Sequence, residues 1–253
     1  MGFAFLLAAG KEDILQQLGN DTCRFNSLSV ITKASGKTCV MWSSRDAPVL
    51  NALTRLLTPL LPVHPQCEHV SIHGGGKQSV SQIHHHLRNS CSGFDFRTDI
   101  KGYYASINQD RLYHQLTRYI HCPVIRFLLW QFLHYTVEGC GSFHAPIKGL
   151  PRASSLSPLL TAFHLYTVDK GLFRLPAIRY ARYMDDFTLI TPDPPQTSAC
   201  RKNAKQRLHE FGFVLHPDKT QLGRTAKGLT GWGPGLRTKA LPTLPPGPPK
   251  NTV

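Results

Sequence analysis

Two adjacent carboxylates, Asp185 and Asp186, stand between two short apolar runs, one leading up to Tyr183 and the other running from Phe187 to Ile190. The β-branched and aromatic residues on both sides predict two strands, with the acids at or beside the tight turn that joins them. Side chains alternate faces along a strand, so neighbouring aspartates can serve one site only from the turn, and even there unequally. Carboxylates so close together repel each other unless a proton or a cation intervenes, which makes a hard divalent metal ion their natural partner. A solvated Asp-Asp turn is the competing reading, because aspartate favours turns on its own account.

The run Arg182-Tyr183-Met184-Asp185-Asp186-Phe187 resembles the Tyr-x-Asp-Asp motif of reverse transcriptases. Upstream, the stretch from Phe94 through Asp99 to Ile107 looks like the first catalytic motif of the bacterial reverse transcriptases related to group II introns and retrons. Between them, Lys148 to Leu160 is similar to that family's Gly-x-Pro-Gln-Gly-x-x-x-Ser-Pro-Leu motif, and His216-Pro217-Asp218-Lys219-Thr220 matches its His-Pro-Asp-Lys-Thr. The motifs follow the family's order and cover roughly residues 40 to 228.

The resemblance implies an RNA-directed DNA polymerase whose partners are an RNA template, a DNA or RNA primer and deoxynucleoside triphosphates. Asp99, Asp185 and Asp186 would hold two Mg²⁺ ions, with Mn²⁺ as a possible substitute, and the carbonyl of Ile100 would add an oxygen ligand. Tyr104 falls at the family's steric gate, under the sugar of the incoming nucleotide, which implies a preference for deoxynucleotides; a core tyrosine is the alternative. Arg152 and Ala153 stand where the pattern has Gln-Gly, and with Tyr183 they would border the nucleotide. A guanidinium cannot accept a hydrogen bond as an amide can, so this departure puts nucleotide geometry in question, although arginine can still hold phosphate oxygens. Lys219 would sit near the pyrophosphate leaving group as general acid, or else be a salt-bridged turn lysine. Lys77, Arg45 and Arg97 are the candidate contacts to nucleic-acid phosphate, with a solvated surface residue as the alternative for Arg45.

The elements that must position these groups follow from periodicity. Arg45 to Leu57 has apolar residues at helical spacing after a Ser/Asp/Pro start, and Asp110 to Gln115 and Val124 to Val137 are helical too. The Gly149 to Leu160 motif reads as a loop that opens a long helix, and Ala199 to Phe211 as a basic helix after a proline turn. A glycine turn at Gly74 to Gly76 opens a further helix whose free N–H groups, with Lys77, suit phosphate. Consecutive helical residues point about 100° apart, so His84 to His86 cannot converge on one metal ion. The expected fold is α+β: a polymerase palm with a split β-α-β antiparallel sheet backed by helices, and N-terminal fingers. Residues 1–40 are unassigned, 41–93 form the fingers region, 94–226 the palm, and 227–253 a degenerate primer-grip remnant with a proline-rich tail expected to be disordered.

Composition narrows the partners independently. The formal charge is +14 and the pI about 9.7, an excess that favours a polyanion through counterion release. No stretch approaches the roughly 20 apolar residues of a membrane span. Seven cysteines without a Cys-x-x-Cys pair argue against a zinc knuckle or a disulfide framework and suit the reducing cytoplasm. After Lys227 the resemblance stops, and Gly228-Leu229-Thr230-Gly231-Trp232-Gly233 replaces the family's primer-grip strands. A frameshift near residue 229 is the expected cause, truncating the protein before its thumb. An inactive remnant that binds structured RNA is therefore the alternative function.

Overall fold

The computed structural model describes residues 12–32, 34–36, 38–70, 93–175, 179–224, 230–232 and 236–237. In chain order these form helix α1 (12–19), strands β1 (Leu28–Thr32) and β2 (Thr38–Met41), helix α2 (Asp46–Leu57), strand β3 (Phe94–Asp99), and helices α3 (Tyr103–Ser106), α4 (Gln109–Thr117) and α5 (Pro123–Leu133). Strands β4 (Val137–Gly139) and β5 (Ser142–His144), helices α6 (Leu156–His164) and α7 (Tyr166–Phe173), strands β6 (Arg179–Tyr183) and β7 (Asp186–Thr191), and helix α8 (Pro194–Glu210) follow. A 3₁₀ turn at Pro217–Lys219 leads to β8 (Gln221–Arg224) and a small hairpin of β9 (Thr230–Trp232) and β10 (Leu236–Arg237).

The central sheet has the order β6-β7-β3-β8 and is antiparallel throughout. Its register pairs Phe96 with Leu189 and Leu189 with Tyr180, so one face is apolar and joins the core formed with α2 and α4 to α8. Strand alternation puts Asp95, Arg97 and Asp99 on the opposite face. Helix α2 buries Val49, Leu50, Leu53 and Leu57, the spacing that its sequence predicts, and leans on α6 through Thr54 and Ser155 (Oγ1 to Oγ, 3.1 Å). This is a mixed α+β architecture, as expected.

Several elements differ from the sequence reading for identifiable reasons. Helix α5 stops at Leu133 rather than Val137, because β4 leaves it to pair in parallel with β1, and the N–H of Leu28 bonds the Thr136 carbonyl at 2.7 Å. The expected long helix after the Gly149 loop is two helices hinged at Leu165, which lies at φ −93°, ψ 8°. Helix α8 starts at Pro194, ahead of Ala199: Asp193 caps it by accepting the Gln196 N–H at 2.8 Å, and two prolines in a first turn forfeit no intrahelical hydrogen bond. Strands β1 and β2, which but for Met41 fall in the segment left unassigned from sequence, supply half of a mixed sheet of order β2-β1-β4-β5. Its other two strands come from residues 137–144, far along the chain from the region expected to make the fingers. The histidine run, Lys77 and the proline-rich tail lie outside the described residues.

Candidate active site

The β6–β7 connection is two residues long, Met184 and Asp185, since Tyr183 and Asp186 already pair across it. Met184 takes a left-handed backbone (φ 53°), the pattern of a type II′ hairpin turn whose first position usually carries glycine. Asp99 ends β3 directly opposite Asp186, which sets their Cα atoms about 4.5–5.5 Å apart. The next peptide closes the corner, the N–H of Ile100 donating to the Asp185 carbonyl at 3.2 Å. The carboxylate that ends β3 therefore meets the two adjacent ones of the β6–β7 hairpin.

A fourth group joins from downstream. His216 donates its N–H to the Asp99 carbonyl at 2.7 Å and Lys101 donates to Val214 at 2.9 Å, which seats the Pro217–Lys219 turn beside the acids. Lys219 Nζ then reaches Asp99 Oδ2 at 2.5 Å. Burial raises the Asp185 carboxyl above its ordinary range, and the charge of Asp99 adds to the effect. Burial also lifts Asp186, to about 6, reinforced by Asp185 and then Asp99. Lys219 opposes both shifts, while its own hydrogen bond to Asp99 raises it and keeps it protonated. The cluster is thus a half-buried concentration of negative charge on hard oxygen donors. It is not a closed cage, since among the described residues no three His, Cys, Asp or Glu side chains are arranged to hold an ion by themselves.

The second motif is docked onto the first by its backbone. Gly149 donates to the Ile107 carbonyl at 2.8 Å, and Leu150 to that of Tyr104 at 2.8 Å. Gly149 has φ +94°, and a Cβ there would stand 2.9 Å from the Tyr104 carbonyl oxygen, so only glycine fits without displacement. Ser157 anchors the loop from within, its hydroxyl donating to the Pro151 carbonyl at 2.5 Å. Arg152 and Ala153 are exposed on this loop, and the Arg152 guanidinium lies 5.2 Å from the centroid of the Tyr104 ring. Tyr103 takes the core position, fully buried with its hydroxyl on the Thr161 carbonyl at 2.8 Å; Tyr104 beside it is 8% exposed.

The remaining cations are engaged elsewhere. Arg97 shares the sheet face of Asp99 and pairs with buried Asp95 at 2.8 Å. Arg45 bonds Gln17, the Arg24 carbonyl and Asp13 (3.5 Å), at the end of α2 away from Thr54 and the motif loop. A phosphate at Arg45 would share the guanidinium with these partners. A cavity of about 490 Å³ between β3, β8 and α8 borders Phe94 and Arg224, the end of β3 opposite to Asp99.

Two residues that sequence reasoning missed hold the acid-bearing turn. Arg182, completely buried in β6, forms a fork with Asp169 of α7 (Nε to Oδ1 2.7 Å, Nη2 to Oδ2 2.6 Å) and donates from Nη1 to the Met184 carbonyl at 2.8 Å. The Tyr180 hydroxyl also donates to Asp169. A buried pair so fully hydrogen-bonded is costly to break, about 3–5 kcal/mol when one partner is removed. His69 approaches the same turn from another segment, its Nδ1 3.0 Å from the Met184 nitrogen. An arginine on the apolar side of a strand was the available signal; the partner of His69 had none.

With this geometry in place, comparison with known proteins is informative. Residues 37–233 match the family model described as reverse transcriptase (RNA-dependent DNA polymerase). The telomerase reverse transcriptase of Rattus norvegicus is 28% identical over 99 residues, covering 38% of this chain and 9% of that protein. A solved apo telomerase of Candida tropicalis, truncated from its C-terminal domain, superimposes with a TM-score of 0.53 at 13% identity, over 86% of this chain and 55% of that one. The chain thus spans well under two thirds of the length of these relatives, and the structural likeness identifies the fold, a right-hand polymerase palm. The chain belongs to the reverse transcriptase family.

Proposed function

We propose that this member of the reverse transcriptase family extends a primer 3′-hydroxyl with deoxynucleotides on an RNA template. The observation that carries the reading is the meeting of Asp99 with the Asp185–Asp186 turn, and of Lys219 with Asp99. The donor set suits Mg²⁺: carboxylate oxygens whose mutual repulsion and burial are relieved by divalent charge. Asp99, Asp185 and Asp186 would be its ligands, with the Ile100 carbonyl in support. Two such ions, when bound, lower the pKa of the attacking hydroxyl and neutralise the triphosphate.

The chain's own groups supply the rest. As the primer 3′-hydroxyl gives its proton to solvent and its oxygen bonds the α-phosphorus, the bond to the bridging oxygen breaks and Lys219 donates its proton to the departing pyrophosphate. Tyr104 forms the floor beneath the sugar and excludes a 2′-hydroxyl by bulk. Arg152, over that ring, holds a phosphate oxygen of the nucleotide or template, while Ala153 and Tyr183 bound the pocket. Arg97, on the sheet face that carries Asp99, lines the path of the primer–template. The wording of the motifs favours the group II intron and retron branch.

The departure at Arg152-Ala153 favours a second reading, a protein that binds structured RNA without turnover. Primer extension by the purified chain on an RNA template, with Asp185→Ala as control, separates the two. Incorporation by the wild type alone is expected; equal incorporation by both, or none by either while RNA binding persists, sinks the polymerase reading.

A further inference from the structure

Residues 66–69 run parallel to β6. Arg182 donates its N–H to the Gln66 carbonyl, Glu68 donates to the Arg182 carbonyl, both at 2.9 Å, and Cys67 bridges Arg182 in parallel register. Two residues further along each strand, that register brings His69 level with Met184. Met184 N–H can only donate, so His69 Nδ1, 3.0 Å away, is the acceptor. The ring proton is then on Nε2, which donates to the Pro158 carbonyl of α6 at 3.1 Å. One neutral imidazole thus ties the acid-bearing turn to the helix that the second motif opens. Its ring also lies edge-on to Tyr183, with centroids 6.1 Å apart.

On the other side of the same peptide unit, Arg182 holds the Met184 carbonyl at 2.8 Å, and is itself locked by Asp169 and by the Ala162 carbonyl at 3.2 Å. Both backbone polar atoms of the one residue that the turn forces into left-handed geometry are therefore gripped by side chains. Left-handed geometry at a non-glycine residue persists only where its surroundings over-determine it. Asp185 and Asp186 follow directly, and their carboxylates inherit whatever freedom Met184 retains.

We propose that His69 is a positioning residue: by accepting the Met184 N–H against the Arg182 grip on its carbonyl, it fixes the orientation in which the Asp185–Asp186 pair works. The catalytic part of this role rests on the polymerase reading above; the mechanical part does not.

Arg182→Ala leaves Asp169 buried without its partner and is apt to unfold the chain, so the test uses His69. In His69→Asn the amide oxygen falls where Nδ1 stood and keeps the bond to Met184, but nothing reaches Pro158. In His69→Gln the amide nitrogen reaches the Nε2 position and keeps the Pro158 bond, but Met184 loses its acceptor. Both are measured on the full chain, by hydrogen exchange of the Met184 amide and by kcat and KM for primer extension. His69→Asn is expected to stay within about threefold of wild type in both. His69→Gln should exchange Met184 at least about tenfold faster and lose at least about tenfold in kcat, with KM for the nucleotide little changed. Equal behaviour of the two variants in exchange, whether both lose protection or neither does, overturns the inference, because His69 would then act only as packing. If the wild type incorporates nothing while the exchange contrast persists, the polymerase reading falls and the positioning role stands.

Discussion

Asp186 carries a charge that the fold accommodates poorly. Burial, then Asp185 and Asp99, hold its carboxyl at about 6 in the folded chain against the ordinary 3.8. The folded state therefore binds more protons than the unfolded state between those values, and the Asp186 contribution to stability is lost as pH rises through that window. At neutral pH the metal-free protein bears the full penalty. Asp186→Asn removes it, so the variant is expected to melt a few degrees above wild type at about pH 7.5, with the gap closing near pH 4. Adding Mg²⁺ should raise the wild-type melting temperature and leave the variant nearly unmoved. Thermal scans with and without the ion check this, and a gap that stays constant across pH would refute it. The acids and Lys219 were legible because each lies in a short linear word. His69 and Arg182 were not, since what defines them is a partner distant in the chain: Met184 for one, Asp169 for the other.

At the scale of elements, legibility followed burial. Strand β3, the β6–β7 hairpin, α2 and α4 each have one face in the core, and their periodicity says so. The mixed sheet was invisible because its strands are short and largely exposed, leaving no alternation to read. What the sequence could not convey at all is how closely loops approach. Gly149 shows this between the motifs, since its added Cβ would meet Tyr104 O at 2.9 Å and Ala105 Cα at 3.1 Å, both of them backbone. Gly141 offers a control: φ is +76°, yet nothing lies within 4 Å of its would-be Cβ. Gly141→Ala should cost only the left-handed penalty, about 1–2 kcal/mol. Gly149→Ala adds displacement of the first motif from the second and should cost roughly 2–3 kcal/mol more. It should also raise KM for the nucleotide, because Tyr104 and Arg152 move apart. Denaturant melts of both variants measure the difference; equal costs would mean that the two motifs are not held together at this contact.

For the whole molecule, charge and fold point to the same partner from independent directions. The family model is that of the reverse transcriptases, and the +14 excess is of the sign that favours a polyanion. Part of that charge lies on α8, where Arg201, Lys202 and Lys205 are exposed and the cap residue Asp193 and terminal Glu210 are the only acids. No helix among the described residues is long and apolar enough to cross a membrane. If binding neutralises about five phosphates of a single-stranded template, log Kobs should fall with log salt at a slope near −3.5. A fourfold rise in salt would then weaken binding by roughly a hundredfold. On the polymerase reading the acids serve the reacting end of the primer and not the bulk of the strand, so Asp185→Asn should leave this slope unchanged while abolishing incorporation. Fluorescence anisotropy across a salt series reads the slope directly. A value shallower than about −1 would mean that the basic surface is not in contact with the template, and the cations of α8 would then need another anionic partner.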